Sequence, residues 1–288
     1  MNTKKVSKHI SNWIKEYADN ASIENLVVGV SGGIDSSVVS TLCAMTGINT
    51  ILVEMPINMK NHVSQARKHI EYLKSKYDNI QHEVVVLTNA FNIMDTLLAP
   101  KFKDNPNYEL SLANTASRLR MMTLYSFSNC YKGLVVGTGN KVEDFGVGFF
   151  TIGGDGQVDI SPIADLMKSE VYELGAYLGV DQEILKASPT DGLWNDGRTD
   201  ESQIGASYDE LEWAMTFVED NWYNETGMEN GGFLDYNLKT DSRIMSEENL
   251  LLSDRQREVL KIYLDRHNAN KHKMQSIPIC YVANDMKN

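Results

Sequence analysis

The chain has no Walker-type GxxxxGK[ST] run, no CxxC pair and no apolar stretch of membrane-spanning length. Its three cysteines, Cys43, Cys130 and Cys280, lie far apart, which argues against a zinc knuckle or a dithiol redox centre. Cys43 and Cys130 fall in apolar helical stretches and read as buried thiols. Basic residues are also short: 27 Lys and Arg face 39 Asp and Glu, a net charge of −12. A general nucleic-acid binder needs a basic footprint, so the charge argues against that class. An anionic small substrate is not, because a few cations can be focused locally. The opening MNTKKVSKHISNW is basic but has no apolar core, so it does not read as a signal peptide. With neither a leader nor a span, the expected location is the cytoplasm, with neither membrane nor nucleic acid as partner.

What the chain does have is a regular alternation. Val6, Ile10, Trp13 and Tyr17 recur at helical spacing and predict an opening helix over 3–19, packed on the core and in part on a second subunit. Short continuous apolar runs predict strands at 25–30, 49–55, 82–87 and 133–137. Helices are predicted at 35–45, 61–77, 89–98 and 110–131. Continuous rather than alternating apolar strands suit a parallel sheet covered on both faces. The expectation is an α/β fold, a doubly wound, mostly parallel sheet flanked by helices, with helical additions at both ends. Ligands then belong at the carboxyl ends of the strands. Met167, Val171, Leu174 and Leu178 predict a further helix, and Ser253-x-x-Gln256 opens a last one over 253–270. Residues 187–207 are polar and aperiodic, either a mobile lid or a surface connection. Residues 221–241 read as an exposed insertion. No linker divides the chain, so 1–288 is taken as one domain with its core at about 25–210.

The richest stretch is Val28-Gly29-Val30-Ser31-Gly32-Gly33-Ile34-Asp35-Ser36-Ser37. A strand enters a glycine turn and a helix leaves it. Such a turn directs backbone N–H groups and a helix N-terminus to one point, which is an anion site. Ser31, Ser36 and Ser37 add hydroxyls. Asp35 would repel an anion unless Mg2+ stood between them. That combination suits the pyrophosphate end of a nucleoside triphosphate. Gly137-Thr138-Gly139-Asn140-Lys141-Val142-Glu143 follows the fourth strand and ends on the same sheet edge. Thr138 offers a hydroxyl, and Glu143 a second carboxylate that could share a metal with Asp35. Five glycines between 146 and 157 form a loop that approaches a ligand or partner. Lys168 lies outside the apolar stripe of its helix as read from the other residues, so it is expected to face water or ligand. Arg118, Arg120, Asp159, His272 and Lys273 are polar groups whose spacing settles nothing.

Taken in order, SGGIDSS, GTGNKVE, the GDG loop, DISPIADLMKSEV and SPTDGLW resemble the NAD+ synthetase family in its single-domain, ammonia-dependent form. The likeness runs from about Val27 to Tyr208 and returns at His272-Lys273. The first segment alone marks only the wider group of ATP pyrophosphatases; the later ones narrow it. The resemblance implies an adenine nucleotide alpha hydrolase-like fold. It implies an enzyme that uses ATP with Mg2+ to join ammonia to deamido-NAD+ through an adenylate, releasing AMP and pyrophosphate. By match to family positions, Gly29, Ser31, Gly32, Gly33, Asp35, Ser36, Thr138, Lys168 and Thr190 would contact ATP. Asp35 and Glu143 would hold Mg2+, and Arg118, Asp159, His272 and Lys273 the deamido-NAD+. Asp35, Lys168 and Glu143 would carry catalysis. The resemblance also implies a homodimer. The glutamine-dependent form would need an amidase domain, for which the residues before Val27 leave no room, so ammonia is expected free or from a separate protein. One departure stands out: Ile152 occupies the place of a family lysine. An apolar side chain cannot supply that cation; Lys141 is the substitute considered. The rival readings are another amidating or tRNA-modifying ATP pyrophosphatase and a non-catalytic nucleotide sensor on the same fold.

Overall fold

A computed structural model describes residues 1–57, 64–190, 192–193, 197–226, 252–282 and 286. Strand β1 (Asn25–Gly29) lies inside a sheet of order β3-β2-β1-β4, with β2 (Asn49–Glu54), β3 (Ile80–Val84) and β4 (Gly133–Val135), all pairs parallel. Val27 pairs with Ile51 on one side and Val135 on the other. Successive side chains leave opposite faces of a strand, and both faces are covered here. Leu26 and Val28 join Ile14, Val38, Leu42 and Leu174 in one cluster, which draws on α1 (Thr3–Asn20), α2 (Ile34–Met45), α3 (Gln65–Lys76) and α6 (Lys168–Leu178). Val27, Ile51, Val53 and Val135 meet Met121 and Leu124 of α5 (Tyr108–Tyr131) on the other face. Each such side chain removed from water contributes about 1.5–3 kcal/mol, which is why an all-apolar strand is stable only in this two-sided setting.

The chain runs β1, β2, β3 in one direction across the sheet and then returns to place β4 on the far side of β1. Strand order therefore reverses between β1 and β4, and a crevice opens beyond their carboxyl ends. A third cluster sits beside the sheet. It joins Leu211, Ala214 and Val218 of α9 (Tyr208–Thr226), Val259 and Tyr263 of α10 (Asp254–Asn270) and Val142 of a π-helical turn (Val142–Val147). Two short helices, α7 (Gln182–Leu185) and α8 (Asp200–Ile204), precede α9. Among the described residues no helix is long and apolar enough to cross a membrane.

Several expectations are corrected in detail. The stripe of α1 that packs inward is Ile10, Ile14 and Ala18, one position round from Trp13 and Tyr17, which are exposed. Cys130 is exposed and only Cys43 is buried. Helix α3 starts at Gln65, capped by the Ser64 hydroxyl, rather than at 61; residues 61–63 are outside the described ones. Strand β3 is an edge strand that pairs through Ile80–Val84, two residues earlier than its apolar run suggests, and Val86 is left exposed. Helix α4 (Thr88–Phe102) is longer than expected because Pro100 lies in its last turn and breaks nothing further upstream. Residues 221–226 continue α9, and the rest of the proposed insertion lies outside the described residues. Among the described residues of 187–207 there is one short helix, α8, where the Thr199 hydroxyl accepts from Ser202 N.

Candidate active site

Gly32 has φ +90°, and a Cβ there would come within 2.7 Å of the Ala66 backbone nitrogen, so the first loop needs glycine at its tightest point. The turn is knitted by its own hydroxyls. Ser31 Oγ and Ser36 Oγ are 3.1 Å apart, Gly33 N donates to Ser31 Oγ at 3.2 Å, and Ser37 Oγ donates to Gly33 O at 2.8 Å. No side chain caps α2, whose N-cap is Gly33. The unpaired N–H groups and positive end of this helix are therefore left for an anion.

The second loop arrives from β4 and is held against the first by Asn140. Its amide donates to Asp35 Oδ1 at 3.2 Å, and its oxygen accepts from Glu143 N at 3.2 Å. Lys168, at the start of α6, closes the group: its ammonium lies 2.6 Å from Asp35 Oδ2 and 3.0 Å from Glu143 Oε1. Lys168 is 3% exposed. Of the two expectations for it, water or ligand, only the second fits: it lies on the inward stripe with Val171 and Leu174 rather than outside it, two carboxylates make its burial tolerable, and it lines the cavity between the two loops. Tyr208 Oη donates to the same Glu143 Oε1 at 2.5 Å. Gly139 completes the floor, since a Cβ there would come within 2.3 Å of the Asp144 carboxylate.

Burial works against every charge in this group, and the neighbours decide the outcome. Burial raises Asp35 above the usual carboxylate range, with Lys168 offsetting only part of it and Glu143 adding to it. Burial would raise Glu143 too, but the Lys168 charge and the hydrogen bonds from Tyr208, Lys168 and Asn140 hold it low. Lys168 is held firmly protonated, as the pull of Asp35 and Glu143 outweighs desolvation. Asp144 is pushed up to about 8 by burial, then by Glu143, Asp155 and Asp35. Six carboxyl groups, Asp35, Glu54, Glu143, Asp144, Asp155 and Asp200, and two cations, Lys168 and Arg120, line this site, which is therefore short of positive charge.

These groups share a cavity of about 550 Å³. Gly29 to Ser36, Thr138, Glu143, Lys168 and Thr190 all line it, with Asp144 and Asp155. Four other predicted contacts do not line it. Arg118 Nε donates to Ile152 O at 3.2 Å. Asp159 accepts from Val135 N at 2.8 Å and from the Tyr125 hydroxyl at 3.1 Å. His272 lies exposed with Nδ1 3.1 Å from Ala269 O. Lys273 Nζ donates to Gly148 O at 2.6 Å and Phe150 O at 2.8 Å, which clamps the glycine loop to the end of α10. Ile152 is 54% exposed, and Lys141, considered as its substitute, is committed to Glu219 at 3.2 Å. Asn140, Asp144, Asp155 and Tyr208 were not foreseen as site residues. Asn140 alone had a local signal, an Asn three residues before a Glu at the mouth of a helical turn.

Residues 6–249 match the model of the NAD synthase family. The chain belongs to that family. It is 40% identical over 209 residues to the NH3-dependent NAD+ synthetase of Alkaliphilus metalliredigens, covering 69% of this chain and 81% of that one. To the enzyme of the same name from Carboxydothermus hydrogenoformans it is 36% identical over 214 residues, covering 74% and 85%. Among solved structures, NMN synthetase from Francisella tularensis superposes with a TM-score of 0.74 at 29% identity, covering 99% of each chain. NH3-dependent NAD synthetase from Campylobacter jejuni superposes at 0.70 and 23% identity, which bears on the fold alone. The adenine nucleotide alpha hydrolase-like architecture expected from the sequence is thus that of an NAD synthase family member, and this member is an ATP-using ligase.

Proposed function

We propose that the cavity forms NAD+ from deamido-NAD+, ammonia and ATP. The observation that carries the reading is the meeting of two loops, Ser31–Ser36 and Thr138–Glu143, around one cavity, with Lys168 tying their carboxylates together. A carboxylate is a poor acceptor for ammonia. In the first step a nicotinate carboxylate oxygen bonds to the α-phosphorus of ATP as the bond to pyrophosphate breaks. In the second, ammonia bonds to the acyl carbon, AMP departs, and the nitrogen loses a proton. The α2 N-terminus and the serine hydroxyls orient the triphosphate, and Lys168 supplies the cation against which the charge of the departing pyrophosphate is stabilised.

The donor set suits Mg2+. Two carboxylates face each other with an ammonium between them, and Glu143 Oε2 has no protein donor among the described residues. No group of three or more His, Cys, Asp or Glu there could hold a metal alone. Mg2+ commonly takes one or two carboxylates and completes its shell with phosphate and water. Asp35 and Glu143 would hold it, and when bound it would neutralise phosphate charge.

A second copy of the chain is part of the proposal. Helix α4 buries none of its side chains, and Ile93 and Leu97 are 60% and 61% exposed. An apolar helix face of this kind needs a cover. Arg118, Asp159, His272 and Lys273 would then meet the dinucleotide at a rim completed by the second subunit.

One alternative acceptor has an observation in its favour. The Francisella tularensis NMN synthetase matches over the full length of both chains, and Ile152 removes a cation from the rim. Nicotinate mononucleotide in place of deamido-NAD+ would use the same chemistry. Purified protein incubated with ATP, Mg2+ and ammonium, and with each acceptor separately, separates the two by mass spectrometry. NAD+ with AMP supports the first reading and NMN with AMP the second. ADP as the nucleotide product contradicts both.

A further inference from the structure

Tyr208 lies at the first turn of α9, in the cluster beside the sheet, and is 5% exposed. Three contacts connect it to the cavity floor. Its hydroxyl is 2.5 Å from Glu143 Oε1 and 3.4 Å from Asp200 Oδ2. Its ring centroid is 4.6 Å from Lys168 Nζ. A phenol has a single proton to donate, and the shorter contact takes it. Glu143 Oε1 therefore receives two donors, Tyr208 and Lys168, while Oε2 receives none among the described residues. A carboxylate held by one oxygen is fixed in rotation about its last bond and presents the other in a set direction.

We propose that Tyr208 is a positioning residue for the proposed reaction: it commits Glu143 Oε1 to the protein and leaves Oε2 for the divalent cation that accompanies ATP. Its ring face also steadies the Lys168 ammonium against Asp35. A packing role alone would need the ring and not the hydroxyl, so removing the hydroxyl separates the two. The proposal rests on the ATP-and-metal reading of the cavity, and its test distinguishes failure of one from failure of the other.

The experiment compares wild type with Tyr208→Phe. The thermal midpoint is measured without ligand and then with ATP across a Mg2+ titration, in the absence of the acceptor, so that no turnover occurs. Wild type is expected to be stabilised by Mg2+ with ATP. In Tyr208→Phe, the Mg2+ needed for half of that stabilisation should rise by about tenfold, the loss associated with one hydrogen bond to a charged group. The midpoint without ligand should move by no more than about 4 °C. In turnover assays kcat at limiting Mg2+ should fall while KM for the acceptor stays within about twofold. An unchanged Mg2+ dependence overturns the proposal, as does a variant that has lost its folded transition, because the hydroxyl then serves the fold. If wild type itself gains nothing from Mg2+ with ATP, the underlying reading of the cavity fails and the proposal fails with it.

Discussion

The floor of the cavity and its rim are built differently. At the floor, Asp35, Asn140, Glu143, Lys168 and Tyr208 hold one another through side chains, across gaps of 25 to 133 residues in sequence. At the rim, Arg118, Asp159 and Lys273 hold backbone groups: a carbonyl of the glycine loop, the β4 amide at Val135, and the carbonyls of Gly148 and Phe150. Floor residues lie on loops and a helix start that the β1/β4 reversal brings to one point. Topology alone places them, without a ligand. Rim residues sit on the long helix α5, on the stretch after β4 and beyond α10, and the single chain leaves them outside the cavity wall. Side chains that the fold assembles by itself lie at the floor; the proposed recognition of the acceptor, with a second subunit, is assigned to the rim.

The comparison can be broken most severely at the floor. Asp35→Asn keeps the size of the side chain and its hydrogen bond to Asn140 but removes a charge from the proposed metal pair. Turnover should fall on the order of 10³-fold with the circular dichroism spectrum unchanged; turnover near that of wild type would remove Asp35 from the chemistry. Lys168→Met leaves two carboxylates facing each other without a cation. We expect a loss of roughly 3 kcal/mol in urea unfolding at neutral pH, since breaking a buried ion pair exposes the repulsion it masked. A variant as stable as wild type would mean that the floor is not held by that ammonium.

A control behind the floor concerns His69 on α3, whose Nε2 lies 3.0 Å from Ser40 Oγ. Burial lowers its pKa to about 4. The unfolded chain takes up that proton near pH 6.5, the folded one only near 4. The contribution of neutral His69 is therefore complete above pH 6.5 and declines as pH falls through that window, by on the order of 3 kcal/mol in all. His69→Gln should flatten the fall in urea stability between pH 7 and 4; a fall identical to wild type would assign it to other groups.

The smallest effect is expected at the rim. Ile152→Lys adds a cation to an exposed position beside Arg118 and should lower KM for deamido-NAD+ several-fold, roughly 1 kcal/mol, with kcat little altered. An unchanged or higher KM would place Ile152 outside acceptor recognition.

What the sequence made legible follows the same division. SGGIDSS and GTGNKVE could be read as ligand loops because each carries its geometry locally: a strand, glycines at the turn, and a carboxylate at the helix start. The strands and their parallel class needed only the succession of apolar runs; their order, β3-β2-β1-β4, is a property of the structure. For Lys168 the ligand side of the expectation holds and the exposure to water does not, because its burial depends on Asp35, 133 positions away, although its spacing of three and six from Val171 and Leu174 already placed it on the inward stripe. Tyr208 had no local signal, since its partner Glu143 is 65 residues earlier. Helix α9 was overlooked even though Leu211, Ala214, Met215 and Val218 recur at helical spacing, because the polar stretch before it carries no periodicity. Edge strand β3 starts two residues before the expected 82–87 because its pairing with β2 begins at Ile80 and Gln81, ahead of the apolar run at 84–87.

The account turns on one cavity shared by two loops. A crystal structure of the protein with Mg2+ and a non-hydrolysable ATP analogue tests it most directly. The account predicts phosphate oxygens within hydrogen-bond reach of Ser31–Ser36 and a metal bound by both Asp35 and Glu143. A nucleotide seated elsewhere, or one that touches the first loop with Glu143 still turned wholly to Lys168 and Tyr208, would contradict it.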